Sequence, residues 1–330
     1  MIPEISKNKL VFFGFGLLVY GAYKYYVPSE YGDLGSLRNS KATEVLFKEN
    51  HWEEHGYVDL PHGTTHYYFL GPADGKRIVF VHGMVTPSPV ISPFLDLLAE
   101  RGYRILCFDL YGRGYSDSPG VIYDNGLFIA QLANLLQYFN WKNVTVMGYS
   151  LGGAIAAGYV SRYPDWVSSV VFIAPAGLMK GLGPLAKALQ YPILGSVVYY
   201  SIARKWIING NKQNHLFNPS TCPNLVPFNE IQEYHINNNP GVLRAFKSTV
   251  IHFDFQNQHS AFEKIGNTHE NRVLCIWGDE DRTVDTCYSK DVEELIPSVT
   301  LKFKHHATHS IVVEYPEFMD STIHEYLESI

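Results

Sequence analysis

The sequence predicts an α/β fold: a mostly parallel central sheet with helices on both faces, interrupted late in the chain by a helical insertion. Three observations carry this. Short apolar runs recur with little polar alternation: RIVFV at 77–81, RILCF at 104–108, VTVM at 144–147, VSSVVFIA at 167–174 and RVLCIW at 272–277. Strands buried on both faces read this way, whereas a strand with one wet face alternates. Segments of helical character separate the runs. After Pro175 that rhythm stops, and residues 176–267 read as several helices with long connections before the strand at 272–277 resumes the sheet.

The elements follow in order. Residues 65–70 form a strand ending at the Gly71-Pro72 turn, and the run at 77–81 ends at His82-Gly83. A helix over 93–100 leads to the strand at 104–108, which ends at Asp109. Leu127, Ala130, Leu132, Leu135 and Leu136 give 123–139 an apolar side. The strand at 144–147 is followed by a glycine- and alanine-rich helix over 151–163. Beyond the insertion, a helix at 288–295, a strand at 300–304 and a terminal helix over 310–327 complete the core. The organisation is therefore a linker at 29–60, a first core part at 61–175, a helical cap or lid at 176–267 and a second core part at 268–330.

Composition narrows the function. With 330 residues, 46% hydrophobic and 18% charged, the chain has too much apolar material to be disordered. Lys and Arg number 26 against 32 Asp and Glu, a net charge of −6, and no basic cluster offsets it. Nucleic acid is excluded as a partner on that balance. The four cysteines show no metal-ligand spacing, and no HExxH occurs, so neither a metal nor a cofactor is expected.

The N-terminus adds a separate expectation. Residues 10–23, LVFFGFGLLVYGAY, carry no charge, and the apolar stretch reaches Val27 if Lys24 snorkels. Eighteen residues just reach the roughly 17–25 that a spanning helix needs. Residues 1–28 are read as a membrane anchor, with the membrane as a partner and a membrane-associated, intracellular location. A cleaved signal peptide and a packed helix are the competing readings.

The chemistry lies in Val144-Thr145-Val146-Met147-Gly148-Tyr149-Ser150-Leu151-Gly152-Gly153. Strand, sharp turn and helix follow one another, and Gly148-Tyr149-Ser150-Leu151-Gly152 matches G-x-S-x-G in the context that motif needs. The turn lifts the Ser150 hydroxyl clear of the sheet, while Gly148 and Gly152 let strand and helix pass closely. A serine hydroxyl attacks only when a base takes its proton, and that base needs a carboxylate to fix its tautomer. The carboxylate belongs beyond a late strand, where Asp279, Glu280 and Asp281 follow Gly278 and Asp285 is more remote. The base lies in the segment holding His305, His306 and His309.

On these motifs the chain resembles the α/β-hydrolase superfamily, as a capped serine hydrolase similar to the epoxide hydrolase and monoacylglycerol lipase branches. The resemblance covers residues 60–330 and implies a cap inserted after the sixth strand. It implies that Asp281, in G-x-x-D after Gly278, is the acid. It also implies that His309, five residues before Glu314 and seven before Pro316, is the base, although Thr308 replaces the usual glycine. His82-Gly83 looks like the oxyanion motif, with the backbone N–H groups of Met84 and Leu151 as donors. Asp109–Ser116 is similar to the family's D-x-x-G-x-G-x-S turn, read as scaffold that ties loops down. The implied function is hydrolysis of carboxylic esters, and the membrane anchor expected beside an apolar cap favours lipid-like ones such as a monoacylglycerol or lysolipid. The alternatives are an acyltransferase, a small-ester or thioester hydrolase on the same triad, and a non-catalytic binding protein.

Overall fold

The structure is a computed structural model that describes residues 16–21, 34–40, 46–85, 87–181, 191, 194–214 and 225–330. The apolar runs pair into an eight-stranded sheet of β1 (Glu54–Leu60), β2 (Gly63–Leu70), β3 (Arg77–Val81), β4 (Arg104–Phe108), β5 (Val144–Tyr149), β6 (Val167–Ile173), β7 (Val273–Gly278) and β8 (Thr300–Lys304). Their order is β1-β2-β4-β3-β5-β6-β7-β8. β1, β2 and β4 pair antiparallel, and every pair from β4 to β8 is parallel.

Side-chain alternation sorts the strands onto two cores. Val79, Val81, Val144, Val146, Val170, Phe172, Val273 and Cys275 face one way. They meet helices α2 (Asn125–Tyr138), α3 (Leu151–Arg162), α7 (His259–Thr268) and α8 (Tyr288–Leu295). Ile78, Phe80, Ile105, Met147, Val171, Leu274 and Ile276 face the other way. They are covered by α1 (Ser92–Glu100), α9 (Ile311–Glu314) and α10 (Pro316–Glu328). Burying both faces explains why these runs are continuously apolar, each fully buried Val, Leu, Ile or Phe contributing about 1.5–3 kcal/mol.

Between β6 and β7 lies the helical insertion, with α4 (Leu194–Asn214), α5 (Leu225–Asn238) and α6 (Val242–His252). It has a small core of its own, built from Tyr199, Ala203, Ile207, Ile236, Val242, Leu243 and Phe246, and Met84 and Val85 of the main domain pack against it. α7 begins inside the stretch 176–267 and ends at Thr268, yet its Phe262 and Ile265 join the main core.

Three differences from expectation have physical reasons. The stretch 29–60 ends in β1, because Val58 and Leu60 pack on the main core while Tyr57 on the other face packs against a small cluster of Leu37, Phe47 and Tyr115. The terminal helix is broken between α9 and α10 at Tyr315-Pro316, since proline offers no N–H and pushes its predecessor out of the helical region; Tyr315 has φ −137° and ψ 59°. The membrane expectation is corrected. No helix among the described residues is long and apolar enough to cross a membrane. Within 1–28 the described part is a helical piece at 16–21, which at about 1.5 Å per residue covers about 9 Å of a roughly 30 Å hydrocarbon layer. The remainder of 1–28 lies outside the described residues. The anchor, the membrane as partner and the membrane-associated location drawn from it therefore fall.

Candidate active site

The site is built where β3, β5, β7 and β8 end. β5 stops at Tyr149, and Ser150 takes φ 56° and ψ −118° before α3 begins. That backbone conformation is strained for a non-glycine residue, and only a tightly supported turn holds it. The support is close packing. A Cβ on Gly148 would lie 2.3 Å from the Gly152 carbonyl oxygen, and one on Gly152 would lie 2.0 Å from the Val81 carbonyl oxygen. The Ser150 N–H donates to the Ile173 carbonyl at 3.0 Å, and its own carbonyl accepts from Ala176 at 3.0 Å. The hydroxyl is left half-buried at the head of α3.

His309 reaches it from the loop after β8. Its Nε2 lies 2.9 Å from Ser150 Oγ, and its Nδ1 lies 2.7 Å from Asp281 Oδ2. An ionised carboxylate only accepts, so Nδ1 carries the proton and Nε2 is free to take one from the serine. Asp281 is itself fixed: its side chain is fully buried, and Oδ1 accepts from the N–H groups of Thr283 at 2.8 Å and Val284 at 2.9 Å.

The competing groups are committed elsewhere. Asp279 accepts from His305 Nδ1 at 2.8 Å and from the His306 N–H at 2.7 Å, and His306 Nδ1 contacts Glu280 at 3.0 Å. The His305 and His306 side chains are 85% and 81% exposed, which puts both outside the cleft. Asp285 accepts from the Cys287 N–H.

Opposite the histidine, Gly83 passes beside the nucleophile; a Cβ there would be 3.5 Å from Ser150 Cβ. His82 fixes this loop. Its Nε2 accepts from the Leu110 N–H at 2.9 Å, and its Nδ1 donates to the Gly83 carbonyl at 2.7 Å. A trans peptide is planar, so pinning the Gly83 C=O also fixes the direction of the Met84 N–H, which points the opposite way. Burial pushes the His82 imidazole down to about 4, which keeps it in this neutral, one-donor form. Leu151 is the first residue of α3, so its N–H is one of the four that a helix leaves without an internal partner. The helix N-terminus there favours negative charge.

Several supports had no plain signal in the sequence. Tyr149 donates its hydroxyl to the His309 carbonyl at 2.8 Å, and its ring lies 5.2 Å from the imidazole at 30°. Glu314 accepts from the Thr308 N–H at 2.8 Å and the Thr308 hydroxyl at 2.6 Å. That explains both the fixed spacing from His309 to a glutamate and the tolerance of threonine at 308, whose hydroxyl is bonded inside the loop. Among the described residues no group of His, Cys, Asp and Glu is arranged to hold a metal ion.

Comparisons with known proteins agree with this architecture. A family model described as the alpha/beta hydrolase fold matches residues 76–193. A serine hydrolase-like protein of Danio rerio is 26% identical over 124 residues, 37% of this chain and 38% of that one. An uncharacterized hydrolase of Bacillus subtilis, YugF, is 22% identical over 271 residues, 81% of this chain and 95% of that one. The first curated relatives are matched over less than two fifths of their own length. Among solved structures, bromoperoxidase from Bacillus anthracis superposes with a TM-score of 0.67 at 23% identity, over 83% of this chain and all of that one. The chain thus has the α/β-hydrolase fold, with a cap after the sixth strand, and its site is assembled as a serine hydrolase's is.

Proposed function

We propose that the protein hydrolyses carboxylic esters through an acyl-enzyme on Ser150. The observation that carries this reading is the continuous relay Ser150 Oγ to His309 Nε2 at 2.9 Å and His309 Nδ1 to Asp281 Oδ2 at 2.7 Å, at the head of a strained turn. His309 takes the hydroxyl proton as Ser150 bonds to the ester carbonyl carbon. The charge gathering on the carbonyl oxygen is met by the Met84 and Leu151 N–H groups. His309 then gives its proton to the departing alcohol as the C–O bond breaks. A water deprotonated by the same histidine releases the acid and regenerates the serine.

The acyl group is assigned to a medium or long apolar chain, as in a monoacylglycerol or lysolipid. The support is the apolar cap cluster of Tyr199, Ile207, Leu243 and Phe246, against which Met84 and Val85 of the loop after β3 pack. Sites for such chains are lined mostly by apolar side chains, with a few polar groups to orient the ligand. The test is labelling with a fluorophosphonate, beside S150A, followed by turnover of p-nitrophenyl esters from C2 to C16. Labelling lost in S150A with a rate maximum at C8 or longer is expected. A maximum at C2–C4 would remove the lipid assignment and keep the mechanism, whereas folded protein that takes no label would reject the mechanism.

A further inference from the structure

We propose that Arg113 is a positioning residue that couples the cap to the oxyanion loop, so that cap docking sets the geometry in which carbonyl charge is stabilised. This rests on the ester-hydrolase reading above and goes beyond it, because it assigns a function to the turn at 109–119.

Arg113 is fully buried, and among the described residues it has no carboxylate within ion-pair distance. Its guanidinium is instead spread over three neutral acceptors on three separate parts of the chain. Nε donates to the Met84 carbonyl at 2.9 Å, Nη1 to the Tyr111 carbonyl at 3.0 Å, and Nη2 to Thr249 Oγ1 at 3.0 Å. Met84 belongs to the oxyanion loop, Tyr111 to the turn, and Thr249 to α6 of the cap. The Thr249 hydroxyl gives its own proton to the Ala245 carbonyl at 2.7 Å, so its oxygen is left to accept from the arginine. Burial lowers the Arg113 pKa to about 10, which still leaves it charged at neutral pH.

Met84 is therefore held on both sides. His82 pins the peptide before it through the Gly83 carbonyl, and Arg113 pins the peptide after it through the Met84 carbonyl. The first tie lies wholly in the main domain. The second leads to the cap.

The same turn is where the cap is clasped. The Gly114 N–H donates to His235 Nε2 of α5 at 2.9 Å, and Asn239 Nδ2 donates to the Gly114 carbonyl at 3.1 Å. Arg244 of α6 donates to the Ser118 and Pro119 carbonyls. A displacement of α6 acts on Arg113 directly through Thr249, and a one-ångström error in an oxyanion donor is enough to affect the rate strongly. A charged donor in so dry a place holds its acceptors tightly, since leaving one of its N–H groups unpaired is costly.

The test uses the full-length protein and three variants, R113M, R113K and T249V. For each, kcat and KM are measured on a p-nitrophenyl ester. Affinity is measured for an alkylboronic acid, which becomes tetrahedral on Ser150, and Tm is recorded. R113M is expected to lower kcat by about 10²–10³-fold, the range for loss of one oxyanion donor. KM should stay within about threefold, and boronate affinity should fall by a factor close to that in kcat. R113K should recover part of the loss. T249V, which severs only the cap tie, should lower kcat by about 3–10-fold in the same pattern, the scale of one hydrogen bond to a charged group.

A lower Tm with unchanged kcat and boronate affinity in R113K and T249V would make the arginine a structural residue only and overturn the proposal. If R113M does not fold, those two variants decide. Wild-type protein that neither turns over ester nor binds the boronate would overturn the hydrolase reading and this coupling together. An active parent with unaffected variants overturns the coupling alone.

Discussion

The main domain and the cap hold the site by different means. In the main domain each catalytic group is tied by bonds to neighbours on its own loop or the adjacent strand end: Asp281 to Thr283 and Val284, His309 to Asp281 and Tyr149, and the His309 loop through Thr308 to Glu314. Among the described residues the cap contributes no group to the Ser150–His309–Asp281 array. It packs Tyr199, Leu243 and Phe246 into a small core above Met84 and Val85 and clasps the turn at 109–119 with His235, Asn239, Arg244 and Thr249. The contrast separates two tasks. Local ties hold the Ser150, His309 and Asp281 side chains, and longer-range packing and hydrogen bonds join the cap to the loop that carries Met84.

Asp281→Asn should break the main domain's part most severely. Asparagine fits the space but presents an amide where Nδ1–H needs an acceptor, and it favours the wrong tautomer of His309. A fall in kcat of about 10⁴-fold with little change in KM is expected. Steady-state kinetics on one activated ester measures it, with circular dichroism to establish that the variant is folded. A loss below tenfold would mean that another carboxylate supports His309.

His82→Ala comes next. It removes the donor to the Gly83 carbonyl and the acceptor for the Leu110 N–H while leaving the triad atoms in place. The Met84 peptide is then free to turn, and kcat should drop by about 10²–10³-fold, as for loss of one oxyanion donor. Labelling by a fluorophosphonate should slow with it, and Ser150 should still be the labelled residue by mass spectrometry. Unchanged turnover would show that the Gly83-Met84 peptide keeps its direction without the imidazole.

This division also explains what could be read from the sequence. Ser150 was legible because the motif around it is local in sequence, although only the Gly148 constraint comes from its own turn; Gly152 must be glycine because β3 passes against it at Val81. The central strands β3 to β7 were legible because burial on both faces leaves no polar alternation. Asp281 and His309 were readable as positions only through a family resemblance, since nothing local distinguishes Asp281 from Asp279. What separates them is Asp279's pairing with His305 and His306, 26 and 27 residues away. β1 was missed because its burial is partial and its apolar residues are few. Arg113 read as scaffold, and it took the fold to bring Thr249, 136 residues away, onto its guanidinium. The apolar run at the N-terminus was read as a span from length and hydropathy, whereas among the described residues no helix is long and apolar enough to cross a membrane.

The smallest effect weighs the two regions against each other by acidity. His82 in the main domain and His235 in the cap are both buried and neutral, and burial lowers their pKa values to about 4 and about 3. In the unfolded chain each titrates near 6.5. Between the folded and unfolded values the unfolded state binds the extra proton and the native state does not, so acid favours unfolding. The stability each contributes is whole above about pH 6.5. It is lost as pH falls toward about 4 for His82 and about 3 for His235, at roughly 1.4 kcal/mol per pH unit for each. His235→Gln keeps an acceptor for the Gly114 N–H but cannot titrate. Urea denaturation of wild type and H235Q at pH 7.0 and 5.5 isolates the cap's share, because every other group cancels in the difference. The variant should lose about 1.4 kcal/mol less than wild type over that interval. Equal losses would mean that His235 is protonated in the folded protein, that it no longer accepts from Gly114, and that the cap is clasped to the turn by Asn239, Arg244 and Thr249 alone.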